Sequence, residues 1–350
     1  MLGVRTRPSP IVLRGLPRLP VGWAVAGVAA LLASCVVGVL VGPVHISAGT
    51  VARTLFGLSV DQGQANILWS LRFPRVVLGA LVGATLAVAG AAYQGVFRNA
   101  LADPYLLGAA AGANLGATLA IALAPGGSFI GENFVPLAAF VGAGAAVFGA
   151  YALGRTVSGL RTGTGLILAG VAVAAFFNAI QMYVQQAQTG TIRQVYSWIL
   201  GRLVTAGWDG VLLVLPYVVL ASAVILMHRR LLDALMVGEE EVTSLGISVR
   251  RVRLVVVIAA TLGTAAVVAV GGTIAFVGII VPHTIRLLVG RSYRVVVPLS
   301  LLFGGAFLVL ADTVARTVVA PGEVPIGIVT AFVGAPFFIA VLRSRRMAAL

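Results

Sequence analysis

Apolar stretches follow one another along almost the whole of this 350-residue chain. An α-helix needs about 20 mostly apolar residues to cross the hydrocarbon core of a bilayer. Ten stretches have this character, at 21–42, 74–97, 106–124, 134–154, 165–187, 211–227, 254–270, 274–290, 295–314 and 325–342. Lipid offers no hydrogen-bond partners to the backbone, and a helix satisfies all its backbone hydrogen bonds within one segment. We therefore expect an all-α, polytopic membrane protein with ten transmembrane helices.

The composition excludes several soluble functions. Only 10% of the residues are charged, against roughly 25% in an ordinary soluble domain. All 24 basic residues are arginines, so a P-loop ATPase and Schiff-base chemistry, which need a lysine amine, are excluded. Cys35 is the only cysteine and the three histidines are scattered. We therefore expect neither a metal site nor a cofactor in this chain.

The arginines predict the orientation of the spans. With the N-terminus in the cytoplasm, ten spans place eighteen arginines inside and six outside, as the positive-inside rule requires. These short clusters between apolar runs do not form one basic face, so we expect no nucleic-acid partner. We predict a multi-pass protein of the cytoplasmic (inner) membrane with both termini cytoplasmic: a basic segment 1–20, one transmembrane domain 21–342 and a tail 343–350.

Two ionisable residues within the apolar stretches leave alternatives open. Asp312 near the end of the ninth stretch is a candidate proton carrier, but a simple ion pair with Arg316, four residues further on, explains both residues. His283 follows Pro282 and is either a proton relay or a polar residue at a helix break. The break also leaves a re-entrant segment between 254 and 290 as an alternative to two spans. An ion-gradient-driven secondary transporter is thus a second candidate function.

Two predicted cytoplasmic loops are polar and rich in turn residues. The first, 98–104, connects the second and third spans. The second, about 228–253, contains three consecutive acids, Glu239, Glu240 and Glu241, between Gly238 and Gly246. Acids are favoured in the first turn of a helix, and glycines commonly bound one. We expect a short exposed helix here that docks on a partner; the alternative is a solvated charged loop.

Motifs spread from about residue 70 to 340 carry a family resemblance. They are Leu71-Arg72-Phe73-Pro74-Arg75, Asn99 to Pro104 with Leu106-Leu107-Gly108, Leu168 to Val171, Trp198 to Gly201, Gly238 to Gly246, Gly278 to His283 with Arg286, Leu310 to Arg316, and Pro325 to Phe338. In these motifs the chain resembles the FecCD-type permeases, the membrane subunits of ATP-binding-cassette (ABC) importers for iron chelates, haem and cobalamin.

The resemblance implies a type II ABC importer permease fold and a transport subunit that is not itself an enzyme. It implies partners: a second copy of the chain or a paralogous permease, a cytoplasmic ABC ATPase dimer that holds ATP and Mg²⁺, an extracytoplasmic substrate-binding protein, and membrane lipid. An iron-siderophore, haem or cobalamin type substrate would cross by alternating access at the interface of a homodimer.

The resemblance also implies roles for individual residues. Coupling to the ATPase is implied for Gly238, Glu239, Glu240, Glu241 and Gly246. The cytoplasmic gate is implied to include Asn99, Leu101, Thr162, Gly163 and Thr164. Docking of the binding protein is implied for Arg72, Arg75 and Arg316, for which interfacial anchoring by snorkelling side chains is the alternative.

Overall fold

The computed structural model describes residues 19–123, 129–156, 163–203, 207–244, 246–320 and 322–347, and these ranges contain helices and no strand. The α-helices are α1 Val21–Leu40, α2 Ala48–Leu55, α3 Gln62–Ile67, α4 Phe73–Val96, α5 Ala109–Leu123, α6 Phe129–Thr156, α7 Gly163–Ala187, α8 Ile192–Ile199, α9 Asp209–Leu235, α10 Glu239–Ser244, α11 Val249–Gly271, α12 Val277–Leu288, α13 Tyr293–Ala315 and α14 Ile326–Met347. A π-helical turn, Leu68–Arg72, joins α3 to α4.

An apolar helix lies at each of the ten apolar stretches. Within the described ranges, seven helical segments are long and apolar enough to cross a bilayer: Val21–Leu40, Gln62–Val96, Phe134–Arg155, Gly165–Ala187, Asp209–Leu235, Val249–Gly271 and Tyr293–Ala315. Three shorter apolar helices, Ala109–Leu123, Val277–Leu288 and Ile326–Val341, occupy the remaining predicted positions. The all-α, multi-pass architecture is confirmed.

Helix α4 lies at the centre of the bundle, with most of its residues buried, and runs antiparallel to α13. Arg75 near the start of α4 binds Asp312 near the end of α13. At the other end of the pair, Gly95 packs against the ring of Tyr293, the first residue of α13. These contacts define two opposite faces of the bundle, which we name the Arg75 face and the Tyr293 face.

The chain breaks between α11 and α12 inside the bundle. Gly271, the last residue of α11, lies beside Val82 of α4, and Gly278 at the start of α12 lies beside Gly90, also in α4. The connecting residues 272–276 are not helical and are largely shielded from the surface. Non-helical backbone at membrane depth is tolerated where protein surrounds it. Helix α11 runs from the Tyr293 face to the break and α12 runs back toward that face, so α13 starts on the same face as α11.

Glycines bring several helices into backbone contact. A Cβ atom at Gly112 of α5 would lie 2.1 Å from the carbonyl oxygen of Gly142 in α6, and one at Gly83 of α4 would lie 2.2 Å from that of Gly304 in α13. Close approach at small residues is a common mode of helix packing in membranes. Gly83 and Gly112 thus meet the backbone of a neighbouring helix, whereas at Gly79 the nearest atom belongs to a leucine side chain, 3.3 Å away.

The structure corrects one predicted loop. Helix α9 continues to Leu235, so the connection expected over about 228–253 is restricted to 236–248. The helix continues because Leu232 and Leu235 are buried at 0% and 2% exposure. Conversely, α5 begins at Ala109 rather than at 106 because Gly108 adopts φ +84° and ends the preceding turn.

Candidate functional sites

Arg75 forms the centre of a charged network on the Arg75 face. Its Nε donates to both carboxylate oxygens of Asp312 at 3.1 Å, and its Nη2 donates to Asp312 Oδ1 at 2.9 Å. The same guanidinium binds Glu323, in the loop before α14, at 2.9 and 3.0 Å. Two carboxylates from different segments thus share one arginine, which fixes the start of α4 against α13 and the following loop.

Arg72 and Arg316 hold the C-terminus of α1. Arg72 donates to the carbonyl oxygens of Val39 and Leu40 at 2.6 and 3.1 Å, and Arg316 donates to that of Gly38. The last carbonyls of a helix lack intrahelical partners and carry its negative dipole end. Both arginines therefore satisfy and neutralise this helix end.

Of the three arginines for which docking was implied, two are not accessible from the surface. Arg72 and Arg316 are 5% and 3% exposed, so in this conformation they face protein. The side chains of Arg75 and Glu323 are 16% and 29% exposed and present the network to the surface. Hydrogen bonding from Arg75 lowers the pKa of Glu323. The predicted Asp312–Arg316 ion pair is confirmed at 3.3 Å, but the closer partner of Asp312 is Arg75.

The turn at residues 97–108, which we call the 97–108 turn, connects α4 to α5 at the Tyr293 face. Asn99 stabilises it, since Asn99 Oδ1 accepts from the Leu101 N–H at 2.9 Å and its carbonyl accepts from the Ala102 N–H at 3.1 Å. Both Asn99 and Leu101 lie in the predicted gate. Helix α7 approaches this turn where a Cβ atom at Gly170 would lie 2.5 Å from Leu106 O.

The second predicted gate segment is only partly described. Thr162 lies outside the described residues. Gly163 and Thr164 form the first turn of α7, and the structure does not describe their side chains.

Asp103 in the 97–108 turn has an unusual environment for a carboxylate. Its Oδ1 accepts from the Tyr105 N–H at 2.8 Å. Burial raises the pKa of Asp103 to about 6, against the opposing effect of this hydrogen bond. Because the folded state binds this proton more tightly than the unfolded state, the free energy of unfolding falls as the pH rises from the unfolded-state pKa to the folded-state pKa.

We expect the substitution Asp103→Asn to remove one pH dependence of stability. The amide keeps an acceptor for the Tyr105 N–H and removes the charge. The wild-type unfolding midpoint should therefore fall relative to the variant as the pH rises from about 4 to 6, with the variant about 1–3 kcal/mol more stable at pH 7.5. Thermal unfolding in detergent at several pH values measures this difference. Parallel pH profiles for both proteins would contradict it.

The short acidic helix predicted between Gly238 and Gly246 is present as α10, Glu239–Ser244. Gly238 accepts the Val242 N–H through its carbonyl, and Gly246 adopts φ +77° after the helix. Val242 is 2% exposed and seats α10 on the bundle. The three glutamates occupy the first turn, where the helix dipole favours them.

The glutamates of α10 differ in their partners. Glu239 binds Arg253 of α11 at 2.7 Å, which ties α10 to the bundle. Glu240 and Glu241 are exposed, as are Met236 and Val237 just before the helix, at 51% and 72%. This surface on the Tyr293 face combines two free carboxylates with apolar side chains.

A polar network beneath α10 connects four helices. Asp233 of α9 accepts from the Ser292 hydroxyl at 2.7 Å and from the Tyr293 N–H at 2.5 Å, and so caps α13. Arg286 of α12 donates to Tyr293 Oη at 3.3 Å and to Gln94 Oε1 of α4. The end of α9, where the connection to α10 begins, is therefore linked through side chains to α13, α12 and α4.

His283 lies within α12, buried at 6% exposure. Its ring packs edge-on against Phe337 of α14, with the ring centres 5.9 Å apart. Within the described ranges, no group of three or more His, Cys, Asp or Glu residues is placed to hold a metal ion.

The fold is that of a multi-pass membrane protein with polar sites on two opposite faces. The sequence matches the FecCD transport family over residues 30–344, and the chain belongs to this family. It is an ABC permease, a transport component rather than an enzyme, which replaces the alternative of an ion-gradient-driven carrier.

Similar proteins support this membership over most of the chain. The cobalamin import system permease protein BtuC of Halobacterium salinarum is 45% identical over 284 residues, 81% of this chain and 75% of the relative. The hemin transport system permease protein HmuU of Yersinia pestis is 37% identical over 304 residues, 84% and 88% of the two chains. A solved metal-chelate type ABC transporter in an inward-facing conformation superposes with a TM-score of 0.82 at 27% identity, covering 93% of this chain and 100% of the other.

Proposed function

We propose that this chain is the permease subunit of an importer that carries an iron-siderophore, haem or cobalamin type substrate into the cytoplasm by alternating access at the interface of a homodimer. Support for the substrate class comes from relatives named for cobalamin and hemin transport, and from the iron(3+)-hydroxamate import system permease protein FhuG of Bacillus subtilis, 36% identical over 86% of this chain. A paralogous permease in place of the second copy is the alternative assembly.

The observation that carries the proposal is the separation of two polar sites on opposite faces. The exposed acids of α10 and the 97–108 turn lie on the Tyr293 face, whereas the Arg75 network lies at the other end of α4 and α13. An importer needs this separation, because the ATPase acts from the cytoplasm and the substrate arrives from outside. The Tyr293 face is then cytoplasmic, as are both chain termini, in the inner membrane.

On the Tyr293 face, α10 is the docking element for an ABC ATPase dimer. Gly238 and Gly246 bound the helix, Glu239 fixes it to α11, and Glu240 and Glu241 face the partner. ATP and Mg²⁺ belong to the ATPase, and this chain holds no cofactor. Free energy reaches the permease because the ATPase binds its two conformations with different affinity; equal affinity would shift nothing. Asn99, Leu101 and the Thr162 to Thr164 segment form the gate that responds.

On the Arg75 face, the network receives an extracytoplasmic substrate-binding protein. Of the three arginines implied for docking, Arg75 is the one that an acidic partner surface reaches, since Arg72 and Arg316 are buried and hold α1 in place. Complementary charge of this kind steers the encounter and fixes the orientation of docking more than it adds affinity.

We expect the substitution Glu240→Arg to abolish coupled transport. Glu240 is exposed and Val242 keeps α10 seated, so the variant should fold, while charge reversal at the contact should weaken the ATPase complex by about tenfold or more. Copurification of the ATPase and uptake of cyanocobalamin, haemin and a ferric hydroxamate by the purified complex in liposomes measure the effect. Asp209→Arg, at an exposed acid on the Arg75 face, is the matched control and should retain the ATPase. Normal uptake by Glu240→Arg would overturn the coupling role.

Copurification of the chain from its native membrane tests the function as a whole. The proposal expects an ABC ATPase and an extracytoplasmic binding protein in the complex, with a coloured ligand on the latter. Uphill transport by the isolated chain without an ATPase would overturn it.

A further inference from the structure

The break between α11 and α12 has an uncommon backbone. Gly272 adopts φ +68° and Phe276 adopts φ +70°. The left-handed region is unfavourable for a bulky side chain, and residues held there concentrate at functional sites. The ring of Phe276 requires Gly334 of α14, where a Cβ atom would lie 2.2 Å from Phe276 Cγ. The surrounding helices therefore hold these five residues, 272–276, in one defined conformation.

On one side, the break is attached to the 97–108 turn. Ile274 is 1% exposed, and its backbone groups have no helical partner. Tyr105 Oη satisfies both: it donates to Ile274 O at 3.1 Å and accepts from the Ile274 N–H at 3.2 Å. Gln94 Nε2 adds a second attachment, since it donates to Gly278 O at 2.9 Å and to Ala102 O at 3.2 Å. One hydroxyl thus replaces the hydrogen bonds that a continuous helix would supply.

On the other side, the break is attached to residues 199–202, at the C-terminal end of α8. Thr273 Oγ1 donates to Ile199 O at 2.5 Å, and the Arg202 N–H donates to Gly271 O at 3.0 Å. The chain then reaches Gly207, whose N–H donates to Ser70 O at 2.8 Å, two residues before Arg72. This second attachment therefore leads toward the Arg75 face.

We propose that the break is a rigid connector between the cytoplasmic gate and residues 199–202, which lead toward the Arg75 face, and that Tyr105 is the positioning residue that attaches the break to the gate. A movement of the 97–108 turn pulls Ile274 with it through the Tyr105 hydroxyl, and residues 199–202 follow through Thr273. The cytoplasmic and extracytoplasmic ends then change their exposure in opposite directions. This inference rests on the proposed function, because it takes the 97–108 turn as a gate driven by the ATPase.

The test removes the Tyr105 hydroxyl and measures the accessibility of single cysteines on the two sides of the break. Cys35 is the only cysteine, so Cys35→Ala gives a background into which Ala100→Cys in the turn or Gln194→Cys on α8 is introduced singly. Maleimide labelling is measured in the permease–ATPase complex from the native membrane, with and without ATP and vanadate. With Tyr105 present, labelling at the two positions should change in opposite directions by about fivefold. With Tyr105→Phe, the change at Ala100→Cys should persist and that at Gln194→Cys should fall to less than half.

The controls separate this inference from the proposed function and from a general loss of stability. Tyr217→Phe alters a hydroxyl on α9 and should label as the parent does. Thr273→Val removes the attachment on the other side of the break and should likewise uncouple labelling at Ala100→Cys from labelling at Gln194→Cys. This variant tests the connector if Tyr105→Phe does not assemble with the ATPase. Opposite changes that persist in either assembled variant would overturn the connector. If labelling of the parent complex is the same with and without ATP and vanadate, the proposed function itself is overturned.

Discussion

Replacing Asp312 with alanine should unfold much of the Arg75 face, at a cost of about 3–5 kcal/mol, the usual consequence of removing one partner from a buried ion pair. Asp312 is 2% exposed and neutralises Arg75 together with Arg316, which is itself 3% exposed. Without the carboxylate, two guanidinium groups remain close together with one partly exposed acid, Glu323, to balance them. The thermal unfolding midpoint and the yield of monodisperse protein in detergent measure the loss.

Glu323→Gln is the matched control for this experiment. Glu323 binds the same guanidinium of Arg75, but its side chain is 29% exposed, so water compensates for much of the lost interaction. We expect a cost of no more than about 1 kcal/mol. Equal stability of the Asp312→Ala variant and wild type would show that the charges on this face do not hold the helices together.

The second large effect is expected at a glycine contact. In Gly142→Leu, the new Cβ atom would lie 2.1 Å from the carbonyl oxygen of Gly112. This atom belongs to the backbone of α5, so no side-chain rotation relieves the clash and the two helices must separate. Overpacking of this kind costs about 1–3 kcal/mol, and more where backbone must move. A strong fall in the unfolding midpoint, or loss of folded protein, is the expected result.

Gly144→Leu isolates the packing effect. Gly144 lies two residues further along α6, and a Cβ atom there would meet nothing within 4 Å. Both substitutions change helix propensity in the same favourable direction, so a loss of stability confined to Gly142→Leu can come only from its contact with α5. Similar midpoints for the two variants would contradict the close approach of α5 and α6.

Local patterns were sufficient to predict the spans and α10. A membrane helix needs only a sufficient apolar length, which each stretch of sequence carries by itself. Likewise, three acids between two glycines specify a short helix without help from distant residues. The prediction failed at the end of α9 because His228, Arg229 and Arg230 resemble the end of a span. Leu232 and Leu235 continue the helix through tertiary packing.

The contacts that organise the polar sites were not predictable in the same way. Arg75 and Asp312 are 237 residues apart, and Tyr105 and Ile274 are 169 apart. One chain offers many possible partners for each such group, and only the folded arrangement selects among them. Arg72 illustrates the point, since its position before a span is typical of an exposed interfacial cation although it is buried against the end of α1.

The capping of α1 by Arg316 also bears on how the protein is made. Gly38 precedes Arg316 by 278 residues, an interval that a ribosome covers on the order of tens of seconds at 5–20 residues per second. During that interval the Gly38 carbonyl at the end of α1 lacks its arginine partner. The C-terminus of α1 therefore reaches its final hydrogen bonding only after α13 and Arg316 have been translated.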